Sequence, residues 1–326
     1  MFFRFRLFAA VQRPLGLALP LFYNFARQKL KHGTGLMSSE TDQEPDSQVK
    51  SRSKKTRDRS QSALHGLTEF VADTAACVRF FSRLSLPSVN ALDNPLAPPD
   101  FLRIARAAPL AGAVIALPAA GVGVALGFSQ LPFLVIAILI TGILAATTGA
   151  LHEDGLSDVA DGFFGGATRD RRLDIMKDSR IGAFGALAMM ISVLLRVALL
   201  AALWQKFDPA DAALLFLAGE ALSRTLLVWQ WQCLPSARPG GLGARFGKPS
   251  RQTVLQAALV TLPLLLPAVL LLSLPALLLA LFIALAAAYS TGQLAQSKIG
   301  GTTGDVLGAV QQLSGLGFLT GMLMVP

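Results

Sequence analysis

From residue 107 to the C-terminus, long apolar runs alternate with short polar stretches. A run of about 20 apolar residues is what an α-helix needs to cross a hydrocarbon core of about 30 Å. The pattern predicts spans at about 107–127, 131–150, 182–204, 210–233, 253–272, 275–289 and 305–325, or about 6–8 crossings in all. Pro263, Pro267 and Pro275 interrupt the fifth and sixth runs, and the sixth is short. Membrane helices tolerate proline where neighbours satisfy the freed carbonyls. The expected fold class is therefore all-α, a polytopic transmembrane bundle whose cytosolic polar loops carry the active site.

Ahead of the spans, residues 64–86 mix apolar positions with Glu69, Asp73, Arg79 and Arg83, and Pro87 follows. That pattern predicts an amphipathic helix lying at the membrane interface. Residues 1–62 read differently. The opening MFFRFRLFAAVQRPLGLALPLF is similar to a signal sequence but is broken by Gln12, Arg13 and Pro14. Met37 is read as an internal candidate start. Residues 38–62 are polar, charged and poor in aromatics, the composition of a disordered segment. The chain thus divides into a basic N-terminal extension, 1–62, and a transmembrane catalytic domain, 63–326.

Composition agrees with membrane residence. The 326 residues are 53% hydrophobic and 15% charged, against about 25% charged in soluble domains. Residues 1–65 hold 12 Lys/Arg against 5 Asp/Glu, so seven of the nine net positive charges lie in the extension. The basic run Lys50–Arg59 has no interleaved aromatics, which argues against nucleic acid and for a solvated tail near anionic lipid. Cys77 and Cys233 are isolated, so no disulfide or zinc framework follows. Orientation comes from basic residues in the loops. Arg169, Arg171, Arg172, Lys177 and Arg180 lie in loop 151–181. Arg238, Arg245, Lys248 and Arg251 lie near 234–252, and Lys298 lies in 290–304. One orientation puts all three loops on the cytosolic side.

The segment 149–185, GALHEDGLSDVADGFFGGATRDRRLDIMKDSRIGAFG, carries the chemistry. On a helix, Asp154, Asp158 and Asp161 fall at i, i+4 and i+7, which puts three carboxylates on one face. Bare, such a face is destabilised by repulsion. A hard cation such as Mg²⁺, which takes carboxylate and phosphate oxygens, reverses that sign. Downstream arginines supply forks for phosphate. An acidic cluster followed by a basic one is the layout of metal-assisted phosphoryl transfer. The loop Lys298–Asp305 adds glycines ahead of a helix N-terminus, a setting that favours anions; Asp305 is equally read as a simple N-cap. Within the spans, Glu220 and Arg224 are spaced to pair on one helix, whereas Arg196 has no evident partner and is expected to snorkel.

Three ordered motifs resemble one family. His152-Glu153-Asp154-Gly155-Leu156-Ser157-Asp158-Val159-Ala160-Asp161-Gly162 resembles the H-x-D-G-L-[AS]-D-x-x-D-G signature of the cobalamin synthase family, the adenosylcobinamide-GDP ribazoletransferases. Ile175–Gly182 is similar to its I-M-[KR]-D-S-R-[IL]-G motif, and Gly300–Ala309 to its G-G-x-T-G-D-x-L-G-A motif. Arg83–Pro87 is similar to its R-L-P-[LV]-P opening, with Ser85 in place of proline. Position 153 is usually apolar in the family, so Glu153 is not carried over as a ligand. The resemblance covers about residues 70–320.

The resemblance implies a reaction. A hydroxyl of α-ribazole or its 5′-phosphate attacks the cobinamide-linked phosphate of adenosylcobinamide-GDP, GMP leaves, and adenosylcobalamin or its 5′-phosphate forms. It implies Mg²⁺ and the bacterial inner membrane, with the active-site loops cytoplasmic. The expected metal ligands are Asp154, Asp158 and Asp161. Asp178, Lys177 and Arg180 are the expected catalytic groups. His152, Arg169, Arg171, Ser179, Gly300, Gly301, Thr303, Gly304 and Asp305 are expected around substrate and phosphate. Beyond substrates and lipid, a homo-oligomer or other cobalamin-assembly enzymes are the partners to consider. Two rivals remain at this point. A CDP-alcohol-type phosphotransferase is disfavoured because Asp154-Gly155 is followed by Leu156-Ser157-Asp158 rather than its D-G-x-x-A-R opening. A transporter is disfavoured because the polar clusters sit at one face rather than at midplane.

Overall fold

The computed structural model describes residues 44–238 and 247–326. Residues 1–43 of the expected extension, and Arg245, lie outside them. The chain divides into two units, Met1–Thr56 and Arg57–Pro326, and the site residues all belong to the second. Every regular element described is a helix: α1 Glu44–Phe81, α2 Phe101–Ile104, α3 Ala108–Gly127, α4 Phe133–Thr148, α5 Leu151–Gly165, α6 Arg169–Ile175, α7 Ala183–Lys206, α8 Pro209–Cys233, α9 Arg251–Leu264, α10 Leu266–Leu271, α11 Leu274–Ile299 and α12 Gly304–Leu323. The all-α polytopic fold expected from the apolar runs is thus observed.

Five stretches among the described residues are long and apolar enough to cross a membrane: Phe101–Gly127, α7, α8, α11 and α12. A sixth is reached only if α4 and α5 count as one span bent by 87°. That sixth reaches the lower end of the 6–8 crossings expected. Residues 253–272 fold instead as α9 and α10, split at Leu265 between Pro263 and Pro267. Two prolines four residues apart remove two helix donors about one turn apart and crowd the preceding turn, which is enough to break the run. The expected short sixth run is a 26-residue helix, α11.

Lipid-type faces are plain on the outer helices. Leu187, Ile191 and Leu194 on α7, and Leu274, Leu278, Phe282 and Leu285 on α11, are exposed at helical spacing. The interior interleaves alanines with leucine and isoleucine side chains and a few large plugs such as Trp204, Phe216 and Phe318. The helix expected over 64–86 lies inside α1 and ends at Phe81. It docks by charge, because buried Asp73 accepts from Arg103 Nε at 3.0 Å and Arg106 Nε at 2.9 Å.

Deep in the bundle, Glu220 of α8 accepts from Arg224 Nη1 at 2.6 Å and from Arg196 Nη1 of α7 at 3.0 Å. Arg196 also donates to Gln312 Oε1 of α12 at 2.7 Å. The Glu220–Arg224 pairing matches its spacing. Arg196 does not snorkel; it is 2% exposed, because a carboxylate on the neighbouring helix offers a better partner than the distant interface.

The carboxylate helix and the loops that meet it

Helix α4 ends on two successive left-handed residues, Gly149 at φ 65° and Ala150 at φ 55°. Their N–H groups close back on Ala145 and Ala146, and the chain turns sharply into α5. We read α5 as lying at the end of the bundle rather than through it, because it carries His152, Glu153, Asp154, Asp158 and Asp161 in 15 residues. The helical register expected for the three aspartates is therefore present. Their surroundings differ by depth: Asp154 is exposed, Asp158 half-buried and Asp161 buried.

α5 packs on the first turns of α12. A Cβ at Gly155 would lie 2.9 Å from the Asp305 carbonyl, so the two backbones touch there. This brings Asp305 beside the α5 aspartates. Partial burial, then the charges of Asp305, Asp154 and Asp161, push the Asp158 carboxyl up to about 8. Asp161 is engaged elsewhere, since its carboxylate accepts the backbone N–H groups of Gly182 and Gly185 at 2.7 and 2.8 Å. Among the described residues, no group of three or more His, Cys, Asp or Glu side chains is arranged to hold a metal unaided.

His152 is not turned toward the aspartate face. Two positions along a helix are about 200° apart, and its ring is buried and stacked at 6.0 Å on Phe81 of α1. Its Nε2 has no partner among the described residues.

The arginines of α6 divide in two. Arg169 donates to the Ile299 carbonyl at 2.9 Å and to the Ala237 carbonyl at 2.6 Å. Arg172 donates to the Lys298 carbonyl at 3.0 Å. Both thus bind open carbonyls around the end of α11, a favourable place for a cation, and hold the loops together. Arg171 is exposed, with its charge acting on Asp178. Arg180 donates to Asp178 at 2.6 Å on the exposed turn after α6. That bond holds the Asp178 carboxyl down to about 2, which makes it a weak proton acceptor. Lys177 and Ser179 share this exposed turn, and Lys177 lies 3.9 Å from Asp174. Among the described residues, no ion pair joins the turn to the α5 carboxylates.

The glycine loop also joins helices and loops to one another. Gly300 caps α11, its N–H donating to Gln296. Thr303, not Asp305, is the N-cap of α12: its hydroxyl accepts from Val306 N at 3.3 Å and donates to Asp305 Oδ2 at 3.2 Å. Gly304 faces open space. Thr302 forms a two-bond bridge with the loop after α8, donating to the Pro235 carbonyl at 2.8 Å and accepting from Ala237 N at 2.9 Å. The bridge brings in Arg238, which sequence reasoning placed only among the loop cations. Its signal was an arginine in a Gly/Pro-rich loop on the same face as the other two loops.

Fold and site together define a multi-pass membrane protein with carboxylates and guanidiniums gathered where three polar loops meet at one end of the bundle. Residues 73–323 match the CobS, cobalamin-5-phosphate synthase, family, and the chain belongs to it. It is 45% identical over 262 residues to the adenosylcobinamide-GDP ribazoletransferase of Azorhizobium caulinodans, covering 79% of this chain and 97% of that protein. The proteins of the same name from Brucella anthropi and Brucella ovis are 45% and 44% identical, covering 78% of this chain and 97% of each relative. No solved structure matches the chain.

Proposed function

We propose that this protein joins adenosylcobinamide-GDP to α-ribazole or its 5′-phosphate, giving adenosylcobalamin or its 5′-phosphate and GMP. A ribazole hydroxyl oxygen forms a bond to the cobinamide-linked phosphorus. The bond from that phosphorus to the bridging oxygen breaks, and GMP leaves with the oxygen. The hydroxyl proton passes to solvent. Family membership supports the substrates. The observation that carries the chemistry is the approach of α5 to the first turn of α12, which sets Asp305 beside Asp154 and Asp158.

The donor set fits Mg²⁺ of a particular kind. Mg²⁺ needs only one or two carboxylates when substrate phosphates and waters complete its shell, so the lack of a closed three-ligand cage is no obstacle. Asp154, Asp158 and Asp305 would hold it. When bound, it neutralises charge on the diphosphate and the leaving GMP. Asp161, expected as a ligand, is better placed to fix α5 against α7. Asp178, paired with Arg180, is suited to orient the attacking hydroxyl rather than to take its proton. A loose phosphoryl-transfer transition state asks mainly for positioning and electrostatics. Lys177, Arg171 and Arg180 are the exposed cations available to the phosphates. Family membership supports the bacterial inner membrane as the location, and the loop charges favour the cytoplasmic side for the site.

The test is GMP release by detergent-purified protein given adenosylcobinamide-GDP and α-ribazole, with Mg²⁺ or with EDTA. Release that needs both substrates and the cation supports the reading. Release of CMP from a CDP-alcohol, or no nucleotide release at all, would sink it.

A further inference from the structure

Neither the family motifs nor the sequence pattern gives a role to Arg238. The structure holds it firmly. The Pro235–Thr302 and Ala237–Thr302 bonds lock its loop to the loop before α12. A side chain at Gly301 would overlap the Pro235 carbonyl, so this contact requires glycine. Arg169 adds a third tie through the Ala237 carbonyl. From this platform the Arg238 Nη2 donates to the Leu173 carbonyl of α6 at 2.8 Å. Its Nε is buried and has no partner among the described residues. Because Ala237 bonds Thr302, three residues before Asp305, the same bridge sets Arg238 at the loop that carries Asp305, and no ion pair closes between the two side chains.

A fork beside a carboxylate that stops short of pairing leaves room for a third group. A buried, unpartnered N–H is costly, and an anionic oxygen would relieve it. Phosphate also bridges naturally between a guanidinium and a carboxylate-held cation. We propose that Arg238 is a further substrate-binding residue, holding a phosphate oxygen of the nucleotide-linked diphosphate between its guanidinium and the Asp305 end of the acidic cluster. This rests on the reaction proposed above, but its test does not depend on turnover.

GDP is the probe. Its affinity is measured by titration on wild type and on Arg238→Lys and Arg238→Gln in Mg²⁺, with thermal stability in detergent as the folding control. Lysine keeps the charge but loses the fork. GDP binding weaker by about tenfold or more in both variants, at near-wild-type stability, is the expected result. In the turnover assay the KM for adenosylcobinamide-GDP should rise while that for α-ribazole stays within about twofold. Unchanged GDP affinity in a folded variant overturns the proposal, as does a wild type that binds no GDP. Equal rises in both KM values with falling stability would mean that Arg238 only braces α6. Wild type that binds GDP through Arg238 yet releases no GMP would defeat the reaction instead.

Discussion

Asp161 accepts the backbone N–H of Gly185 at 2.8 Å while its other oxygen takes that of Gly182, so one carboxylate closes the first turn of α7. The two helices meet so closely that a Cβ at Gly185 would overlap the Asp161 carboxylate. An anion at a helix N-terminus satisfies orphan donors and complements the dipole. Asp161→Ala should therefore cost roughly 2–3 kcal/mol of stability, read as a lower midpoint of thermal unfolding in detergent. Asp154→Asn should keep near-wild-type stability, Asp158→Asn should lose none, and both should lose GMP release. An Asp161→Ala protein as stable as wild type but inactive would return Asp161 to the metal.

Asp158 makes a pH prediction. Burial and the neighbouring carboxylates raise its pKa from 3.8 to about 8, so the folded protein holds this proton more tightly than the unfolded chain. The sign follows from linkage: ionisation then costs stability, beginning above 3.8 and complete once the pH passes about 8. Without divalent cations, Asp158→Asn should be more stable than wild type. Its advantage should grow from pH 4 to pH 8 and then level off. Adding Mg²⁺ should raise the wild-type midpoint at pH 8 and leave that of the variant nearly unmoved. Parallel pH curves for the two proteins would contradict the crowding of these carboxylates.

Much of this site could be read from local sequence, for a physical reason. Helical spacing alone places Asp154, Asp158 and Asp161 on one face, and the loop arginines alone put three loops at one end. What spacing could not show is how each group is used. Whether Asp161 meets a cation or the N–H of Gly185 depends on how closely α7 approaches α5. Spacing could not show that Arg169 also ties the carbonyls of Ile299 and Ala237 together. Arg238 stayed hidden because its neighbours lie more than 60 residues away in sequence. The expected span over 253–272 breaks where prolines decide locally, at Pro263 and Pro267, since hydropathy averages over such breaks.

The buried charges of α7 and α8 predict an asymmetry. Arg196 and Arg224 share a single carboxylate, Glu220, and all three are at most 3% exposed. Glu220→Gln leaves two guanidiniums uncompensated and should cost about 3–5 kcal/mol, enough to block recovery of folded protein. Arg196→Met leaves a neutral Glu220–Arg224 pair with Gln311 still donating to Glu220, and should cost much less. Yields and unfolding midpoints of the two variants, purified side by side, check the order. Equal damage would mean that packing rather than charge balance holds the cluster.

Gly301 and Gly304 sit three residues apart in one motif and should respond oppositely. At Gly301, φ is +158° and a side chain would overlap the Pro235 carbonyl, so Gly301→Ala should break the bridge to the loop of Arg238. Stability and activity should fall together. At Gly304 no atom lies within 4 Å of an added Cβ, so Gly304→Ala should fold as wild type does. If that space admits the diphosphate to the N-terminus of α12, the methyl group will obstruct it. The expected outcome is an unchanged unfolding midpoint with a KM for adenosylcobinamide-GDP raised by about tenfold, the scale of one lost charge-assisted hydrogen bond. An unchanged KM would mean that the helix end is not where the phosphates lie, and would leave anion binding to the arginines alone.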